Sequence, residues 1–294
     1  MELGRLITAM VTPFNDRLKI DEARVSLLVE HLLSNGTTDI VVAGTTGESP
    51  TLAHDEKLHL FSLVVQSVAG RANVLAGTGS NDTAATMRLS QEAQQCGVDG
   101  LLLVTPYYNR PPQSSLYAHY KAVAESVSLP IMMYNVPSRT SVNMEPSTVV
   151  RLAEIDNIIA VKEAADIAQL MTIAANAPIG FRVYTGEDKL LLPALAVGAY
   201  GVVSVCSHVI GKPMQSLIRA FAEGDVQTAW EWNRRLLPVF EGMYSVVNPV
   251  LVKAALARQG VVVGGLRLPL EDATPMQCEA LFKTLSYLEA TLDS

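Results

Sequence analysis

Ile158-Ile159-Ala160-Val161-Lys162-Glu163-Ala164 is an apolar run, rich in β-branched residues, that closes on a lysine. Such a run reads as a short buried strand. Side chains alternate between the two faces of a strand, so Ile158, Ala160 and Lys162 share one face. If that face points into a closed barrel, the Lys162 amine sits in a confined, mostly apolar space. Desolvation disfavours the ammonium there and lowers its pKa. A neutral amine attacks a carbonyl carbon, so imine formation is the natural chemistry of such a lysine. The competing reading is a strand-end lysine that snorkels to solvent or pairs with Glu163.

The rest of the chain repeats this unit. Upstream, Arg5–Met10, Asp39–Ala43, Asn73–Ala76, Gly100–Val104 and Pro130–Tyr134 read as strands; downstream, Phe181–Tyr184 and Gly201–Val205 do. Helical patterns fill the intervals. Asp21 caps one through about Leu33, with Gly36 just past its end. Others run from His54 to Ala69, from the Asp82 cap, from Gln113 to Val127, and near Pro146 to Ala153. The repeat spacing is roughly 25 to 35 residues, and strands alternating with helices imply a parallel sheet. Eight such units imply an α/β fold of the (β/α)8 TIM-barrel kind. Beyond Gly224 the alternation stops. The chain there reads as added helices, from Asp225 to about Gln259 and from Thr274 to Leu292. The expected organisation is a barrel over 1–224 and a C-terminal helical extension over 225–294.

Composition narrows the function. At 294 residues and a net charge of −7, without a basic stripe, the chain is a poor nucleic-acid binder. Three well-separated cysteines, Cys96, Cys206 and Cys278, suit a reducing compartment, the cytoplasm, better than a disulfide framework. No basic segment followed by an apolar core opens the sequence, so no signal peptide is expected. The run Leu190–Ser207 is uncharged, mostly apolar and long enough to imitate a membrane span, but Pro193, Gly198 and Gly201 interrupt it. A short helix and a buried parallel strand explain it better than a membrane span. The five histidines show no metal-ligand spacing, and no metal is expected.

Polar residues suited to chemistry cluster at the C-terminal ends of the strands. Thr45 and Thr46 follow the second, Tyr107 and Tyr108 the fourth, Tyr134 ends the fifth, Arg139 lies in its loop, and Lys162 is on the sixth. Barrel enzymes place their active sites on that face. Gly44-Thr45-Thr46-Gly47-Glu48-Ser49 is either a plain turn or a carboxylate cradle of backbone N–H groups and hydroxyls. It lacks the Gly-Lys-Ser/Thr ending of a phosphate-binding Walker loop. Tyr107-Tyr108 beside prolines suits packing or an interface. Tyr134 suits a proton relay or a satisfied buried hydroxyl. The Arg139 fork suits a substrate carboxylate or a loop salt bridge.

Four segments carry a resemblance: Gly44 to Ser49, Thr105 to Pro111, Tyr134 to Thr140, and Val161 to Ala164. Together they resemble the dihydrodipicolinate synthase family, within the superfamily of N-acetylneuraminate lyase, from about Gly4 to Pro269. The resemblance implies condensation of pyruvate with L-aspartate 4-semialdehyde to 4-hydroxy-tetrahydrodipicolinate, in lysine and diaminopimelate biosynthesis, without a cofactor. It implies that Lys162 forms the pyruvate imine and that Thr45 and Thr46 hold the pyruvate carboxylate. It gives Tyr134, Thr45 and Tyr108 a proton relay, Tyr108 arriving from a neighbouring subunit. Arg139 would bind the semialdehyde carboxylate, and Gly186 and the Val203 backbone would line the site. The expected assembly is a homotetramer, a dimer of dimers.

Some positions depart from the family pattern. Ser207-His208 stands where Ala-Asn is frequent, and Leu251 replaces a usual proline. The family's lysine-inhibition site is matched at Ser49, His54, Asn81 and Tyr107. However, Lys57 and Ala85 stand where inhibited members carry a histidine and a glutamate. Weak or absent inhibition by lysine is the expectation. Two other readings compete: a pyruvate-dependent aldolase or dehydratase acting on a 2-keto-3-deoxy sugar acid, and a silent barrel that only binds pyruvate-like ligands.

Overall fold

The computed structural model describes residues 1–292. Eight strands close into one barrel in chain order, every neighbouring pair parallel. They are β1 (Leu6–Ala9), β2 (Asp39–Val42), β3 (Asn73–Gly77), β4 (Gly100–Val104), β5 (Ile131–Asn135), β6 (Ile158–Glu163), β7 (Arg182–Thr185) and β8 (Gly201–Ser204). The helices are α1 (Glu22–Ser34), α2 (His54–Val68), α3 (Thr83–Gln95), α4 (Gln113–Ser126), α5 (Pro137–Thr140) and α6 (Pro146–Leu152). After them come α7 (Ile167–Asn176), α8 (Leu191–Ala196), α9 (Ser207–Ala222), α10 (Val226–Met243), α11 (Val250–Arg258) and α12 (Pro275–Leu292). Both expected acidic caps form: Asp21 accepts from the Arg24 amide at 3.1 Å and Asp82 from the Ala84 amide at 2.9 Å.

Period-2 alternation sorts the strand residues into two cores. Ile7, Val41, Leu75, Leu102, Met132, Ala160, Tyr184 and Val203 fill the barrel. Leu6, Ile40, Val42, Val74, Leu101, Leu103, Met133 and Val161 face the helices. Both faces of every strand are thus dry, which is why the strands read as continuous apolar runs.

Two sequence expectations are corrected. Ile158 does not share the face of Ala160 and Lys162. Ile131 pairs with Ile158 but the next residue, Met132, pairs with Ala160, so Ile159 is an extra residue in the ladder. This irregularity turns Ile158 to the helix layer, while Ala160 and Lys162 keep the barrel face. Second, the single helical stretch expected over Asp225 to about Gln259 is two helices. It breaks between α10 and α11, where Pro249 has no N–H to continue the ladder and Asn248 turns inward. No helix among the described residues is long and apolar enough to cross a membrane.

Candidate active site

Lys162 lies in register between Tyr134 of β5 and Tyr184 of β7. Its side chain is only 6% exposed, and its Nζ sits 4.3 Å from the centre of the Tyr134 ring. It makes no ion pair among the described residues. Glu163, the partner a strand-end lysine would have offered, points to the other face. Its carboxylate accepts from Asn135 Nδ2 at 3.0 and 3.1 Å, Gln169 Nε2 at 3.0 Å and the Ala165 amide at 2.7 Å. Burial pushes the Glu163 carboxyl up, and these donors oppose the shift. The amine is therefore confined and near an aromatic face.

Room for it comes from Gly186, just past β7. A Cβ on Gly186 would lie 2.9 Å from Lys162 Cε and 2.8 Å from the Ala164 Cβ. Glu187 follows. Its carboxyl is raised chiefly by burial and then by neighbouring Asp188, while Lys162 and Arg139 pull it down. Val203 is fully buried inside the barrel, paired with Ile7 of β1.

A cavity of about 600 Å³ opens at the C-terminal face of the barrel. Thr45, Tyr108, Tyr134 and Arg139 line it, and so do Ser49, His54 and Tyr107. Residues expected in catalysis and in inhibition thus border one continuous space. Thr46, Lys162, Gly186 and Val203 are outside its wall, and Lys162 approaches it through the Tyr134 ring. Asn81 is also outside; its carbonyl accepts from Asn109 Nδ2 at 2.9 Å. Arg139 rides on the one-turn helix α5 and makes no salt bridge among the described residues. Tyr108 is 88% exposed, with φ +74. No hydrogen bond joins the Thr45, Tyr108 and Tyr134 side chains among the described residues of this chain.

The turn after β2 is held from several sides. The Thr12 hydroxyl donates to the Gly47 carbonyl at 2.6 Å, and Asn248 Nδ2 donates to Thr46 Oγ1 at 2.8 Å. Glu48, buried and left-handed at φ +56, places Oε1 2.7 Å from Lys253 Nζ. Sequence reasoning missed Asn248 and Lys253, which it quoted only as neighbours of Leu251. Their one visible signal is the pair of polar residues that flank Pro249-Val250-Leu251-Val252.

The departures from the family pattern are structural. His208 is fully buried; its Nδ1–H donates to the Val205 carbonyl at 2.8 Å, and its Nε2 accepts from the Val11 amide at 3.1 Å. Burial pushes its pKa down to about 4. Leu251 is buried in α11.

Comparison with known proteins agrees with this geometry. The model of the dihydrodipicolinate synthetase family matches residues 2–288. The 4-hydroxy-tetrahydrodipicolinate synthase of Symbiobacterium thermophilum is 57% identical over 284 residues, which is 96% of this chain and 97% of the relative. That of Heliobacterium modesticaldum is 54% identical over 96% of this chain and 94% of its own length. Among solved structures, a dihydrodipicolinate synthase from Bacillus anthracis superposes with a TM-score of 0.95 at 47% identity, covering 97% of this chain and 98% of its own. The lysine-bound enzyme of Cyanidioschyzon merolae reaches 0.96 at 41% identity, with 98% of each chain covered. This chain belongs to the dihydrodipicolinate synthetase family.

Proposed function

We propose that the protein is a Schiff-base lyase that condenses pyruvate with L-aspartate 4-semialdehyde to 4-hydroxy-tetrahydrodipicolinate, in lysine and diaminopimelate biosynthesis. The observation that carries this reading is the Lys162 amine: buried on the barrel face, against Tyr134, with no carboxylate paired to it among the described residues. Nucleophilic attack on the pyruvate ketone forms a C–N bond and, with loss of water, an imine. The imine withdraws electrons, so the pyruvate methyl group loses a proton to give the enamine. That carbon adds to the aldehyde, whose oxygen takes up a proton. The amine of the semialdehyde then attacks the imine carbon, closes the ring and releases Lys162. The imine itself is the electron sink, so no cofactor is called for.

Thr45 and Thr46 hold the pyruvate carboxylate, and the unpaired Arg139 takes that of the semialdehyde, a bidentate match. Tyr134, Thr45 and Tyr108 of a neighbouring subunit pass the protons. The exposure of Tyr108 supports its use by another copy, in a homotetramer built as a dimer of dimers. Gly186 and the Val203 backbone complete the site. We place the enzyme in the cytoplasm, where its acidic, cysteine-poor composition fits.

The outer half of the cavity, with Ser49, His54 and Tyr107, and Asn81 nearby, corresponds to a lysine-inhibition site. Lys57 and Arg88 also line the cavity, and among the described residues no aspartate or glutamate does. A lysine ammonium entering there meets cations, so feedback inhibition is weak or absent. Half-inhibition by submillimolar lysine overturns this.

The test of the function is a coupled assay with pyruvate, aspartate semialdehyde, dihydrodipicolinate reductase and NADPH. Turnover is the expected outcome. No turnover, with pyruvate still trapped on Lys162 by borohydride, would leave the imine and transfer the substrate to the sugar-acid aldolases.

A further inference from the structure

We propose that the C-terminal extension supplies two positioning residues for pyruvate, Asn248 and Lys253, which fix the turn that receives its carboxylate. The inference rests on the reading of Thr45 and Thr46 as the carboxylate cradle and adds what holds them.

Asn248 stands in the break between α10 and α11, 8% exposed, and reaches across 202 residues of sequence to Thr46, itself buried. Its Nδ2 donates to Thr46 Oγ1 at 2.8 Å. A hydroxyl has one proton and two lone pairs. With a lone pair occupied by Asn248, the Thr46 proton is left to donate elsewhere, and a carboxylate accepts it. The Asn248 contact thus sets the polarity of the hydroxyl as well as its rotamer. Asn248 Oδ1 is buried and has no hydrogen-bond partner among the described residues.

Lys253 acts two residues further along the turn. Glu48 has a left-handed backbone that a residue with a side chain seldom adopts. Among the described residues its carboxylate is anchored by the extension alone: Lys253 Nζ lies 2.7 Å from Oε1, and the Arg267 amide donates to Oε2 at 2.9 Å. Lys253 Nζ is itself held by the Gly265 carbonyl at 2.7 Å and lies 4.4 Å from the centre of the Phe14 ring. The other wall of the latch is the segment that follows β1: the Phe14 amide donates to the Val263 carbonyl at 2.9 Å, and the Thr12 hydroxyl donates to the Gly47 carbonyl. Thr46, Gly47 and Glu48 are therefore each held from outside the turn, Thr46 by Asn248, Gly47 by Thr12 and Glu48 by Lys253 and Arg267.

The experiment is steady-state kinetics of the full-length enzyme with each substrate varied, on Asn248→Ala, Thr46→Val and the double variant Glu48→Gln/Lys253→Met. The double variant is used because Lys253→Met alone strands a buried carboxylate and endangers folding. Asn248→Ala is expected to raise the KM for pyruvate about tenfold, as for a lost hydrogen bond to a charged group. The KM for the semialdehyde, kcat and the thermal midpoint should stay close to the parent. The double variant should show the same pyruvate-selective rise. An unchanged pyruvate KM in Asn248→Ala, with a raised one in Thr46→Val, overturns the positioning role and keeps the cradle. An unchanged KM in Thr46→Val overturns the cradle, and the inference with it. A rise for both substrates with a fallen midpoint also overturns it, because that is general loosening.

Discussion

Gly186 and Lys162 are packed so closely that a single methyl group on Gly186 would lie 2.9 Å from Lys162 Cε. The Ala164 Cβ closes the same space at 2.8 Å. Gly186→Ala therefore has to move the lysine stem rather than tilt away from it. The expected outcome is a folded barrel with kcat lowered by about 10²-fold, the effect of a reacting group misplaced by about an ångström. Borohydride trapping of pyruvate should slow in parallel. An unchanged rate of trapping would show that the amine tolerates the shift.

Lys162→Ala should abolish both turnover and trapping, because no other lysine shares the barrel face of β6. Tyr134→Phe keeps the ring against Lys162 and removes only the hydroxyl. A loss of about 10²- to 10⁴-fold in kcat is expected for a general acid–base group. A rate near that of the parent would leave Tyr134 as packing.

His208 gives the fold an acid limb. Its pKa is about 4 in the folded protein against 6.5 as an ordinary value, because burial disfavours the charged ring and outweighs the hydrogen bond to the Val205 carbonyl, which pulls the other way. As pH falls, the unfolded chain takes the proton first. Stability from this site is full above pH 6.5 and drains between 6.5 and 4. The span corresponds to about 3 kcal/mol at most. His208→Asn, which can also donate and accept, should flatten this limb in a urea titration repeated across that range. An unaltered pH dependence would move its origin to another group.

Among the described residues the Glu163 carboxylate meets only donors: Asn135 Nδ2, Gln169 Nε2 and the Ala165 amide. Glu163→Gln brings a fourth N–H group against them. A destabilisation of about 1–3 kcal/mol by thermal or urea unfolding is expected, the cost of a buried mismatched polar group. A gain in stability would mean that burial wins over the donors and that the native carboxyl carries a proton.

The barrel was legible because strands buried on both faces leave long apolar runs, and because each run ends abruptly in polar residues. Lys162, Tyr134, Thr45, Tyr108 and Arg139 could be read from those ends. The ladder irregularity at Ile159 could not: Ile158 and Ile159 are identical in type, so no pattern reveals which one faces the helices. The break before α11 was readable at Pro249 but was overrun by helical periodicity on both sides. Asn248 and Lys253 lay furthest out of reach. Their contacts to Thr46 and Glu48 join the two ends of the chain, and local spacing carries no trace of that closure.

The extra residue in β6 separates one strand into two independent rulers. Before Ile159 the spacing follows the helix layer, through Ile158 and Ile131; after it the spacing follows the barrel interior, through Ala160, Lys162 and Tyr134. A strand built this way has one residue of slack. Removing Ile159 restores ordinary alternation between Ile158 and Ala160 and leaves the lysine facing inward.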